Sequence, residues 1–117
     1  MNVKIYHNPR CGKSRQTLQL LQERGIQPEI IEYLKNPPST SELAAILSLL
    51  NLGPRGLMRN KEAEYKALGL DNPALTDAEL LNAMVNAPKL IERPIVLAQG
   101  QAAIGRPPEA VLAILSL

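Results

Sequence analysis

The opening of the chain constrains its fold more than any other feature. Val3 to Tyr6 is a β-branched and aromatic run that stops at His7-Asn8-Pro9, a turn signal. From Gly12 onward Thr17, Leu18 and Leu21 recur at helical spacing until Gly25, which suits the position just past a helix end, with Pro28 beyond it. Glu29 to Leu34, with Ile30, Ile31 and Tyr33, reads as a second strand. Strand, helix and strand in this order form a β-α-β unit, and a right-handed crossover makes the two strands parallel.

The middle of the chain is helical. Asn36, Pro37 and Pro38 break the pattern, after which Ser39 and Glu42 form a capping box ahead of Leu43, Ile46, Leu47 and Leu50. That helix should end at Asn51 to Pro54. Arg55 to Leu70 holds one or two short helical pieces, with Tyr65 and Leu68 apolar and Gly69 closing them. Thr76 and Glu79 repeat the capping box before Leu80, Ala83 and Met84, and Pro88 stops the helix. Ile95 to Ala98 then reads as a buried strand, Gln99-Gly100 as a tight turn and Gln101 to Gly105 as the returning strand of a hairpin. Pro107 and Pro108 suit the first positions of a last helix reaching Leu115, with Glu109 complementing its dipole. The order describes a small α/β domain with a mixed four-stranded sheet.

Composition narrows the function classes. A chain of 117 residues fits a single domain, residues 1–117, and 45% apolar with 21% charged residues is an ordinary globular balance. Three Tyr, no Phe and no Trp mean an aliphatic core and almost no material for stacking nucleic-acid bases. A net charge of +2 is too small for a nucleic-acid binder unless the cations cluster. The one cysteine, Cys11, excludes an internal disulfide, a Cys-X-X-Cys pair and any zinc site needing several thiolates. No metal, nucleotide or membrane partner has a supporting motif. With no signal-peptide pattern and no long apolar run, the chain reads as cytoplasmic, in a compartment where a lone thiol stays reduced.

Cys11 falls between the first strand and the first helix, where open α/β sheets bind ligands. N–H groups at a helix start favour an anion there, and Arg10, Lys13, Arg15 and His7 are near in sequence. The dipole supplies only ~0.3–1 kcal/mol when exposed. Since one pKa unit is about 1.4 kcal/mol, bringing a thiol to neutral pH needs a cationic neighbour as well. His7 could cap the turn or bond to backbone, and it has no visible carboxylate partner for catalysis. Gly12-Lys13-Ser14 is not a phosphate loop, because His7 stands where the first glycine is required. A phosphatase loop fails too, since Thr17 occupies the place of its arginine. The remaining Cys-X-X-Ser arrangement lets Ser14 donate to sulfur or to a bound oxyanion.

Arg59, Arg93 and Arg106 stand at element ends. Arg93 precedes the third strand and Arg106 follows the fourth, so an antiparallel hairpin brings them side by side as a fork for a tetrahedral oxyanion. The alternative is that each arginine is a solvated surface charge or pairs with Glu92 or Glu109.

His7-Asn8-Pro9-Arg10-Cys11-Gly12-Lys13-Ser14-Arg15 closely resembles the active-site segment of the glutaredoxin-dependent arsenate reductases. Glu32-Tyr33-Leu34 with Pro37-Pro38, Leu57-Met58-Arg59, Glu92-Arg93-Pro94-Ile95-Val96 and Gly105-Arg106-Pro107 match the family's later landmarks in order and spacing, so the resemblance covers nearly the whole chain. It implies a thioredoxin-like sheet with an inserted helical region, Cys11 as nucleophile, and Arg59, Arg93 and Arg106 as oxyanion ligands. His7, Ser14 and Arg15 would support the site, and Pro94 would be the cis proline opposite the thiol. It further implies arsenate as substrate, glutathione as co-substrate and glutaredoxin as partner, with no bound cofactor. Lys13 departs from the family, which commonly has a small hydroxyl residue there, and Arg10 adds a charge before the nucleophile. Two other readings stand beside it: a non-catalytic regulator resembling the Spx proteins, which share this fold and bind RNA polymerase, and a general monothiol oxidoreductase acting on glutathione mixed disulfides.

Overall fold

A computed structural model describes residues 2–115. Its chain forms two compact units, one of residues 1–36 and 93–117 and one of residues 37–92. The first unit begins with β1 (Val3–His7), α1 (Gly12–Glu23) and β2 (Glu29–Glu32), and closes with β3 (Ile95–Ala98), β4 (Gln101–Ile104) and a 3-10 helix over Pro108–Ile114. The sheet order is β2-β1-β3-β4, with β1 parallel to β2 and the other pairs antiparallel. This mixed sheet, interrupted in sequence by a helical insertion, is the thioredoxin-like arrangement.

Three pairings fix the end of the sheet at which β1 finishes. Tyr6 lies opposite Ile31 of β2 and Ile95 of β3, and Ile95 lies opposite Ile104 of β4. The segments that follow β1, β2 and β4 and the segment that precedes β3 therefore gather at one edge. Val3, Ile5, Val96 and Ala98 face a core closed by Leu21 of α1, Ile26 and the 3-10 residues Val111 and Ile114. Burying each large aliphatic side chain contributes about 1.5–3 kcal/mol.

Local signals explain the ends. Gly25 adopts a left-handed φ of 75° just past α1, as its position in the sequence suggested. Gln99 and Gly100, with φ of 57° and 70°, make the two-residue turn between β3 and β4. The helix expected from Pro107 to Leu115 is present from Pro108 to Ile114. It is a 3-10 helix, with Pro107 as its cap and Pro108 at its start. The buried residues Pro108, Val111 and Ile114 are three apart, and that period aligns on one face only with three residues per turn. The strand ends shift slightly: β2 stops at Glu32, where the Lys35 and Asn36 N–H groups turn back to its carbonyl, and β4 stops at Ile104.

The second unit contains α2 (Thr40–Leu50), a 3-10 turn over Pro54–Leu57, α3 (Ala63–Ala67), α4 (Asp77–Asn86) and a 3-10 turn over Pro88–Leu90. Both expected capping boxes are present. Ser39 Oγ accepts the Glu42 N–H and Thr76 Oγ1 accepts the Glu79 N–H, while each glutamate returns a bond to its cap N–H. The helix α2 packs against α4; Leu43, Ile46 and Leu47 are the buried residues of the first, Leu80 and Met84 those of the second. Arg55 closes the loop beyond α3 by donating to Tyr65 Oη, the Leu70 carbonyl and the Asn72 carbonyl at 2.7–2.8 Å. Leu68, the C-cap of α3, is 55% exposed. Among the described residues no helix is long and apolar enough to cross a membrane.

Gly105 joins the sheet to the Cys11 region by a contact that admits no side chain. Its N–H donates to the Pro94 carbonyl at 2.9 Å. A Cβ there would lie 2.5 Å from Thr17 Oγ1 and 2.7 Å from Pro94 Cγ. Gly105→Ala should therefore cost about 1–3 kcal/mol through overpacking, read as a lowered urea midpoint with unchanged slope. A midpoint equal to that of the unsubstituted protein would contradict this packing.

Candidate active site

Cys11 is placed by its own turn. Its N–H donates to the Asn8 carbonyl at 3.0 Å, and Asn8 Oδ1 accepts the Arg10 N–H at 3.0 Å, so the loop after β1 folds back on itself. Cys11 has extended backbone angles as the N-cap of α1, and its carbonyl accepts the Arg15 N–H in the first helical bond. The Arg15 guanidinium donates to the Pro9 carbonyl at 3.0 Å and clasps the loop from outside.

Cys11 is 8% exposed. Burial pushes its pKa up, yet the balance falls below the usual cysteine value. The Ser14 N–H, the Arg93 guanidinium by hydrogen bond and by charge, and the Lys13 N–H together outweigh burial. The sulfur does not close an ordinary side-chain cap; the open helix N–H groups act on it as an anion. On the other side Arg106 Nη2 lies 3.8 Å from Cys11 Sγ. The cation expected beside the thiolate thus comes from the far end of the chain. Lys13 contributes through its backbone, and Arg15 is engaged with Pro9.

Arg93 and Arg106 converge as the hairpin geometry suggested. Arg106 Nε donates to the Arg93 carbonyl at 2.9 Å, which fixes one guanidinium on the backbone of the other residue. The Arg93–Pro94 bond is cis, in line with the family resemblance, and the Arg106–Pro107 bond is cis as well, which nothing in the sequence indicated. Gly105 and Thr17 also escaped sequence reasoning. Thr17 is fully buried, donates to the Lys13 carbonyl at 2.8 Å and forms the wall against which Gly105 sits. The glycine immediately before Arg106-Pro107 was the available signal.

His7 and Ser14 take a different arrangement from the one expected. Ser14 is fully buried, and its hydroxyl lies 2.6 Å from His7 Nδ1 while accepting the Asn8 N–H at 3.0 Å. The hydroxyl is therefore turned to the imidazole, and Ser14 serves the sulfur through its main-chain N–H. Burial holds the His7 pKa below the ordinary histidine value, Glu32 opposes this, and Arg15 adds to it. The imidazole is neutral at pH 7 and is not one of the cations facing Cys11.

Arg59 lies in the second unit. Its N–H donates to the Leu90 carbonyl at 2.7 Å, beside the bridge between Met58 and Ile91. Its Nε meets Glu62 at 3.2 Å and its Nη1 meets Glu92 at 3.8 Å. The pairing with Glu92 was one of the alternatives open in the sequence; the pairing with Glu62, three residues on, was not anticipated.

Such a site can hold an ionised sulfur and neutralise negative charge on whatever the sulfur attacks. If Arg93 helps to hold Cys11 ionised, Arg93→Ala should move the pH midpoint of Cys11 alkylation by iodoacetamide upward. The unsubstituted protein should alkylate with a midpoint below that of an ordinary cysteine. Identical profiles for the two proteins would contradict the assignment.

Residues 6–114 match the ArsC family. The chain is 55% identical over 114 residues to the arsenate reductase of Neisseria meningitidis, covering 97% of each chain. It is 43% identical to an arsenate reductase of Escherichia coli, covering 97% of this chain and 81% of that one. The solved structure of the arsenate reductase from Vibrio cholerae superposes with a TM-score of 0.96 at 53% identity, covering 98% of both chains. The fold, the lone cysteine at the start of α1 and this extent of identity agree: the chain belongs to the ArsC family.

Proposed function

We propose that this protein is an arsenate reductase that uses glutathione and glutaredoxin, with residues 1–117 acting as one functional domain. The observation that carries the reading is the pair of guanidiniums, Arg93 and Arg106, at the sulfur of the chain's one cysteine. Two planar forks beside an anionic nucleophile suit a substrate that is itself a tetrahedral oxyanion.

The Cys11 thiolate attacks arsenic, an S–As bond forms, and one oxygen leaves as water after protonation. Arg93 and Arg106 neutralise the charge that gathers on the remaining oxygens. Arg59 joins them as a third ligand on the strength of the family resemblance. Glutathione then attacks the adduct: a disulfide forms between its sulfur and Cys11, and the S–As electron pair passes to arsenic. Arsenic(V) becomes arsenic(III) and leaves as arsenite, while the two sulfurs are oxidised together. Glutaredoxin removes the glutathionyl group by thiol exchange and regenerates the Cys11 thiolate.

Having one cysteine supports an external reductant, because the chain has no second thiol to resolve the adduct. The guanidinium pair weighs against a general monothiol oxidoreductase, which has no oxyanion to neutralise. It weighs equally against a purely regulatory role of the Spx kind, which needs no ionised thiol facing cations.

The test is arsenate-dependent NADPH oxidation in the presence of glutathione, glutaredoxin and glutathione reductase. The unsubstituted protein should turn over, and Cys11→Ser should fall to background. Arg93→Ala and Arg106→Ala should each lose roughly 10²–10³-fold in kcat, the usual effect of deleting one oxyanion donor. Absence of arsenate-dependent turnover by the unsubstituted protein would refute the proposal. Full activity in both arginine variants would retain the nucleophile and reject the oxyanion ligands.

A further inference from the structure

The two guanidiniums approach the Cys11 end of the sheet from the β3–β4 side. The strand order leaves the opposite flank to β2. There a pocket of about 290 Å³ opens between the loop after β1 and the turn after β2, lined among others by Pro9, Arg10, Glu32, Leu34 and Lys35. Pro9 and Arg10 run directly into Cys11, so the pocket lies against the nucleophile's own loop, on the flank that the strand order gives to β2.

We infer that this pocket seats the glutathione that completes the reaction. The inference rests on the reductase reading above and adds where its second substrate binds. Displacement at sulfur is in line: the incoming thiolate must approach Cys11 Sγ from the side opposite the departing arsenic. With the oxyanion held by Arg93 and Arg106 on the β3–β4 side, that approach is the β2 side. The incoming sulfur bonds to Sγ, the S–As pair passes to arsenic, and the mixed disulfide forms with glutathione already in its pocket.

The lining matches the ligand's charges. Glutathione carries two carboxylates and one ammonium, and the pocket offers Arg10 and Lys35 as cations and Glu32 as an anion. The Arg10 guanidinium has no hydrogen bond or ion pair among the described residues, its backbone N–H alone being held by Asn8. Lys35 and Glu32 meet at 3.6 Å while largely open to water, a weak pair that the ligand's own charges can replace. Leu34, 39% exposed, supplies an apolar wall for the methylene groups.

The experiment uses S-methylglutathione, which cannot form a disulfide, titrated into isotopically labelled Cys11→Ser protein and followed by amide NMR. Arg10, Glu32, Leu34 and Lys35 amides should shift. Arg10→Glu and Lys35→Glu, both surface changes whose folding the same spectra report, should each weaken binding by about tenfold or more. In the active protein the same changes should raise the KM for glutathione by a similar factor and leave the KM for arsenate unchanged. Shifts confined to the Arg93 and Arg106 segments, or affinities altered by less than about twofold, would overturn the inference. Failure of S-methylglutathione to bind would overturn it too. In each of those cases turnover of arsenate with saturating glutathione would still uphold the reductase reading, whose own failure is loss of that turnover.

Discussion

The registry of a short four-stranded sheet is the constraint on which the site depends. Tyr6 opposite Ile95 and Ile95 opposite Ile104 bring the end of β1, the start of β3 and the end of β4 to one edge. A slip of one residue would turn every inward side chain outward, so the buried face formed by Val3, Ile5, Val96 and Ala98 specifies the registry strongly. Once it is set, Cys11 must meet Arg93 and Arg106 although they are separated by most of the sequence. Gly105 completes the arrangement by letting the β4 end lie directly on Thr17 and Pro94.

The electrostatics follow from that placement. Burial alone would keep the Cys11 thiol protonated, and a helix start alone is too weak to reverse it. The Ser14 and Lys13 N–H groups and the Arg93 guanidinium decide the balance together. Keeping His7 neutral leaves the positive charge at the sulfur concentrated on the β3–β4 side. The same asymmetry gives the sheet edge two unlike flanks: one with the two guanidiniums, the other an open pocket with mixed charges.

Much of this was legible in the sequence, and the reasons are specific. The capping boxes at Ser39 and Thr76 are local patterns within one helical turn, so no tertiary information was needed to find them. The convergence of Arg93 and Arg106 followed from hairpin geometry once two strands and a two-residue turn were recognised. The sequence offered the Ser14 hydroxyl to sulfur or to a bound oxyanion, because spacing along a helix does not reveal a competing partner, His7 Nδ1, on the preceding strand. Gly105 stood out only as part of a motif, and its packing role was hidden for a similar reason: the requirement lies in Thr17 and Pro94, two residues remote in sequence. The 3-10 geometry of Pro108–Ile114 was not legible, because proline at a helix start suits either helix type and the three-residue spacing shows only once burial is known.

The central claim is that the Cys11 sulfur and the two guanidiniums form a single oxyanion site. A crystal structure of the protein treated with arsenate before glutathione is added tests it most directly. The account predicts arsenic covalently bonded to Cys11 Sγ with its oxygens accepting hydrogen bonds from both Arg93 and Arg106. Arsenate bound elsewhere, or bonded to sulfur with both guanidiniums turned away, would contradict it.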